Sequence, residues 1–331
     1  MWFFKLSQLA RTSHLKLSVL MALVFLWLLL MMGLLAQNDA GNFKHSGAIG
    51  SALFVSVWIP TAISLVVHVL TRSQSYLDEL RPVLACSDAE FSQLKTNVTH
   101  EKHTFLIIWG GIGLAVGCTL QWEHLHYLIT TDKSLPPFYY LLNVLVLFLW
   151  SLMFQVFNTL IRNARLFGQI IQDHLEVNLL DLKRLSPCSK VAIVPVLLAV
   201  GLYVVYPLNW VGKPQDYSEM IFPAIFTLPS LLLMFLLPLL PLKRKIQQQK
   251  EQQISAITQA INGDKSALKT TYLGGEAHTV TTLEMIQFRQ YLEKLNDWGI
   301  DSPALKKISV YVLLPPSTWV AAALVEQLVT G

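Results

Sequence analysis

Long apolar runs, repeated along the chain, constrain this sequence more than any other feature. A helix needs about 20 mainly apolar residues to cross a bilayer. Runs of that kind fall at Leu15–Ala36, Ala48–Leu70, Thr104–Leu120, Phe138–Leu160, Val191–Tyr206, Met220–Leu242 and Ile308–Val329. The third and fifth are short, and Pro195 interrupts the fifth, so counts of six or five remain open beside seven. Strands of a membrane barrel would require short alternating segments, which this sequence lacks. Composition agrees, with 53% hydrophobic and 14% charged residues and a mean hydropathy of +0.48.

Lysine and arginine positions then set an orientation. With a cytosolic N-terminus and seven spans, only Lys44, Lys133 and Lys213 fall outside, and the other 22 of the 25 basic residues fall inside. The expected fold is therefore an all-α membrane protein of about seven transmembrane helices, N-in and C-out, with a cytosolic helical layer. The formal charge of +4 reads as an inner-leaflet signature, with the lipid bilayer as partner and no nucleic acid. The first run reads as an uncleaved signal anchor, because no small-residue cleavage pattern follows it. Cys86, Cys118 and Cys188 have neither disulfide nor zinc spacing.

Three regions follow: a six-span part over 1–242, a cytosolic helical hairpin over 243–306, and a seventh transmembrane helix over 307–331. Ile246, Ile254, Ile257 and Ile261 recur near a 3.6-residue period, and Asn262-Gly263-Asp264 stops that helix. Met285, Phe288, Tyr291, Leu292, Leu295 and Trp298 mark a second stripe. Met285, Phe288 and Leu292 are candidates for a surface that receives a cytosolic protein partner. Ser87-x-x-Glu90 is a capping box that starts a helix in the first basic loop.

Sites for chemistry are few. Glu123, His124 and His126, joined by His45, offer metal-ligand types without a spacing that fixes them on one helix face; they read rather as interfacial residues, with Trp122 as a headgroup anchor. No metal or other cofactor is expected, and no reaction motif assigns an enzyme activity. Asn97-Val98-Thr99 is a glycosylation sequon placed in a cytosolic loop, and Gly113-x-x-x-Gly117 reads as a close helix crossing.

Polar residues inside apolar runs are the remaining signal. Gln155, Asn158 and Thr159 adjoin at helical spacing in the fourth run, either as packing contacts or as the lining of a water-filled path. Pro315 and Pro316 fall midway through the last run, where missing N–H groups and ring clashes break the helix; Ser317 and Thr318 supply hydroxyls beside them. That break reads as a packed kink or as a pore-lining hinge. His68 and Glu326 lie near the ends of their runs, within reach of water.

The strings VNLLDLKRLSP (177–187), LPLLPLKRKIQQQKEQQISAI (237–257) and LNDWGIDSPALKKISVYVLLPPSTWVAAALVEQLV (295–329) resemble a group of uncharacterised bacterial multi-pass inner-membrane proteins. Members share a Trp-x-x-Asp-x-Pro helix start, a proline-broken apolar run and a Val-Glu-x-Leu-Val tail. The resemblance covers roughly the C-terminal half and implies a place in the bacterial inner membrane without an activity. The expected topology is also similar to that of insect gustatory and odorant receptor channels, whose subunits meet through a cytosolic layer and whose last helix lines the pore. That similarity implies a homo-oligomer that acts as a channel or sensor. A scaffold that recruits a soluble partner through 243–306 is the alternative.

Overall fold

The computed structural model describes residues 48–99, 103–130, 137–210, 218–274 and 280–298. They form eight α-helices with short 3-10 turns between them: α1 (Ala48–Leu80), α2 (Asp88–Thr99), α3 (His103–Leu120), α4 (Trp122–Thr130), α5 (Pro137–His174), α6 (Ser186–Val204), α7 (Ser218–Ile261) and α8 (Thr282–Lys294).

The seven-span expectation is corrected. Among the described residues four helices are long and apolar enough to cross a membrane, within Gly50–Val83, Tyr139–His174, Leu182–Asn209 and Ile225–Ile261. The third run gives only the shorter apolar stretch Thr104–Leu120. At 1.5 Å per residue it reaches about 25 Å, less than the roughly 30 Å hydrocarbon core. The first and last runs lie outside the described residues. Among the described residues the fold is all-helical with four candidate spanning helices, and the N-in, C-out assignment, which depended on seven crossings, falls with the count.

Helix direction follows from contacts at the two ends of the bundle. Ser51 at the start of α1 donates to Asn209 Oδ1 just beyond α6, at 2.9 Å. Leu77 and Leu80 near the end of α1 join Phe167 and Ile171 of α5, Leu185 and Cys188 around the start of α6, and Leu242 and Ile246 of α7 in one apolar cluster. So α1, α5 and α7 descend toward one end, which we call basal, and α6 rises from it. The chain returns between α1 and α5 along α3, which lies antiparallel on α5, with Gly110 against Gln155 and Gly117 against Trp150.

At about 57 and 66 Å, α5 and α7 are far longer than a bilayer is thick, so both carry their helix beyond the apolar zone. The last of them, α7, runs unbroken through residue 242 to Ile261. Two cores result. An upper one joins Val55, Ala62 and Val66 of α1 to Leu152, Val156 and Leu160 of α5 and Met234 of α7. The basal core adds Val98 of α2, Leu268, and Met285 and Leu292 of α8.

Short polar ties shape the basal layer. The Ser87–Glu90 capping box forms as the sequence indicates, with the Glu90 carboxylate accepting from Ser87 N at 2.8 Å and Ser87 Oγ accepting from Glu90 N at 3.2 Å. That backbone hydrogen bond, then the one from the Ser87 hydroxyl, holds the Glu90 carboxyl below its ordinary pKa. Ala85 N donates to His174 O and Glu176 N to Val83 O, which staples the end of α1 to the end of α5. Gln253 uses both ends of its amide, donating to Thr270 O and accepting from Tyr272 N, each at 3.2 Å. The turn after α7 is held on the helix it has just left.

Candidate functional site

Along α5 the polar side chains Ser151, Gln155, Asn158, Thr159 and Asn163 recur every three to four residues, which puts them on one side of the helix. One flank of this stripe is covered by α3. A Cβ at Gly113 would lie 2.6 Å from the Trp150 carbonyl oxygen, and one at Gly117 would lie 2.9 Å from Trp150 Cβ. Only glycine permits that approach. The Gln155 amide and the Ser151 hydroxyl sit directly over Gly110.

The other flank faces α1. Asn163 Nδ2 donates to Ser73 Oγ at 2.9 Å, inside the protein. Thr159 is buried one turn above Asn163. Asn158 is half-buried, and its Nδ2 is shielded from solvent without a hydrogen-bond partner. Farther up α5, Asn143 turns back on its own helix and donates to Tyr139 O at 2.9 Å. Gln155, Asn158 and Thr159 thus lie on one side of α5, with Thr159 buried, Gln155 and Asn158 half-buried, and Gln155 against α3.

Pro315, Pro316, Ser317 and Thr318 lie outside the described residues, as do Glu326 and His45. Met285 and Leu292 turn into the basal core, 3% and 0% exposed, and Phe288 packs against it. What α8 leaves accessible is Leu283, Ile286 and Tyr291. Glu123 and His126 are exposed on α4, with the His126 ring 6.4 Å from that of Trp122; the His124 side chain lies outside the description. Among the described residues no three metal-ligating side chains gather.

Sequence reasoning missed the junction that fixes α8. Lys250 of α7 donates to Glu293 O and Leu295 O, each at 3.1 Å, and to Asp297 Oδ1 at 3.0 Å. These contacts use all three ammonium donors and two of the carbonyls that the end of α8 leaves free. Gln247 Nε2 donates to Asp297 Oδ2 at 3.2 Å, and the Lys243 ammonium lies 4.6 Å from the Trp298 ring centroid. Burial pushes the Asp297 carboxyl up, but the hydrogen bonds from Lys250 and Gln247 and the nearby lysine charges outweigh it, and its pKa lies below the ordinary value. The readable signal was Asn296-Asp297, a turn pair whose first member accepts from Trp298 N at 3.0 Å. Thr281-x-x-Glu284, the capping box that starts α8, was equally readable.

A similar strap lies below α5. Lys245 Nζ donates to Leu175 O at 2.7 Å, and Tyr272 Oη accepts from Leu179 N at 3.2 Å. The non-helical connection from α5 to α6 is pinned from two sides. No family model, no curated protein and no solved structure matches this chain.

Proposed function

We propose that this helical protein, whose long apolar helices are consistent with a membrane protein, is an oligomeric channel-like or sensor protein of the bacterial inner membrane. The α5 stripe and the last apolar run, with Pro315, Pro316, Ser317 and Thr318, lie near its pathway. The observation that carries this reading is the polar stripe on α5, in which Asn158 Nδ2 is shielded from solvent and keeps an unused donor. Leaving a buried donor unused costs about 1–3 kcal/mol, so a hydrated or transiently opened seam accounts for it better than packing alone. The resemblance of 295–329 to bacterial inner-membrane proteins supports that membrane as its location.

Every lysine and arginine among the described residues lies toward the basal end of the bundle, which supports a basal layer in the cytosol. The reading assigns no catalytic activity. Its test is current recording from the purified oligomer in a planar bilayer: discrete conductance supports it, and silent membranes from a proven monomer overturn it.

A second reading, a scaffold that recruits a soluble protein, is favoured by the outer face of α8. Leu283, Ile286 and Tyr291 are 64%, 40% and 45% exposed there, on a layer beyond the apolar spans. It predicts no conductance, and loss of a co-purifying soluble protein when Leu283→Asp is introduced.

A further inference from the structure

We propose that Ser73 of α1 and Asn163 of α5 hold a buried water molecule between them and the apolar side chains around them. Both residues are 2% exposed. Asn163 Nδ2 donates to Ser73 Oγ at 2.9 Å, yet Asn163 Oδ1 has no partner. Turning the amide over would let the Ser73 hydroxyl donate to Oδ1 and would leave the amide hydrogens unpaired instead. Either way the pair retains one polar group that nothing in the described chain satisfies, in a place bulk solvent does not reach. Buried polar groups are almost always paired, and an internal water is the ordinary partner when the protein supplies none.

Position gives the site its role. Val69 and Leu160, one turn above the pair, belong to the upper core; Leu77 and Phe167, one turn below it, belong to the basal core. Ser73 and Asn163 therefore sit at the seam where the two cores meet. Here α1 and α5 leave the apolar zone for the layer that contains Arg72, Arg162 and Arg165. Neither side chain is charged, and no carboxylate adjoins them on either helix within a turn. A neutral donor and acceptor set of this kind suits water and gives an alkali cation no charge compensation. A packed, silent protein would need the same water as a conducting one.

The test is a structure of the full chain in lipid nanodiscs at a resolution that shows ordered water. Density about 2.7–3.2 Å from the free amide atom of Asn163 is expected; an empty site, where other internal waters are visible, overturns the proposal. Thermal unfolding supplies an independent readout. Asn163→Leu removes a satisfied network and should lower Tm by several degrees. A raised or unchanged Tm would mean that the free amide atom had been an uncompensated defect, against the proposal. Exchange of sodium for potassium should leave the wild-type Tm unchanged, and a shift that follows cation identity would replace water with an ion.

Discussion

Gly168 of α5 lies against the carbonyl oxygen of Leu237 in α7, so close that a Cβ on the glycine would come within 2.5 Å of it. That carbonyl is free because Pro241, four residues on, has no N–H to offer. Proline and glycine are complementary here. One frees a backbone oxygen inside the bundle, and the other brings the Cα of a neighbouring helix up to it, where a weak C–H contact offsets part of the loss. At Pro241 the neighbouring helix thus accommodates a proline inside α7.

Gly168→Ala should therefore destabilise, because the clash is with backbone and no rotamer relieves it. A loss of about 1–3 kcal/mol is expected, measured as a lowered midpoint of thermal or denaturant unfolding in detergent. Gly201→Ala on α6 is the control. A Cβ there meets nothing within 4 Å, so stability should hold or rise slightly, by up to about 1 kcal/mol.

Asp297 makes the hold on α8 sensitive to acid. Its carboxyl sits below the ordinary value in the folded protein, so between the folded and unfolded values the unfolded chain binds more protons. The stabilisation is complete above the unfolded carboxylate value of about 4 and is lost as pH falls through the lower, folded one. Limited proteolysis after α8 should accelerate across that acid window and not between pH 6 and 8. Lys250→Met should accelerate it already at pH 7, since a charged hydrogen-bonded contact is worth about 1.5–3 kcal/mol. Equal cleavage of wild type and Lys250→Met would show that the clasp holds nothing.

How far this could be read from sequence depended on the range of the interaction concerned. The Ser87–Glu90 cap and the helix stop at Asn262-Gly263 are local, and Gly263 takes the positive φ of 115° that only glycine adopts freely. The polar stripe of α5 was legible because helical spacing alone places Gln155, Asn158 and Thr159 on one side. The number of spans was not, since hydropathy counts apolar runs, and Thr104–Leu120 is apolar yet too short. Nor could periodicity say what a stripe packs against: Met285 and Leu292 face the basal core of their own chain. Lys250 and Asp297 are 47 residues apart, and nothing in either neighbourhood announces the other.

Sidedness is open to chemical labelling. Lys269 is exposed on the basal turn after α7, whereas Ile246 is fully buried in the basal core. With the basal layer in the cytosol, Lys269→Cys should resist an impermeant thiol reagent in intact cells and react at least tenfold faster in inverted vesicles. Ile246→Cys should be slow in both. Reaction of Lys269→Cys from outside the cell would place the basal layer on the other face.

The conduction reading makes its sharpest claim at Asn158. Its Nδ2 is shielded from solvent and has no hydrogen-bond partner among the described residues, and about one turn away along α5 the glycine face of α3 rests on Gln155 and Ser151. Filling that position with an apolar group of similar size should therefore cost little in folding, because it removes an unsatisfied donor. If the stripe is part of a hydrated pathway, Asn158→Leu should reduce single-channel conductance severalfold, with the oligomer intact by native mass measurement and the unfolding midpoint equal to or above that of wild type. Replacing Ser317 or Thr318 with a bulky apolar residue should act in the same direction if the last run meets the pathway. Stability that rises while conductance stays unchanged would assign Asn158 to packing alone and remove α5 from the pathway.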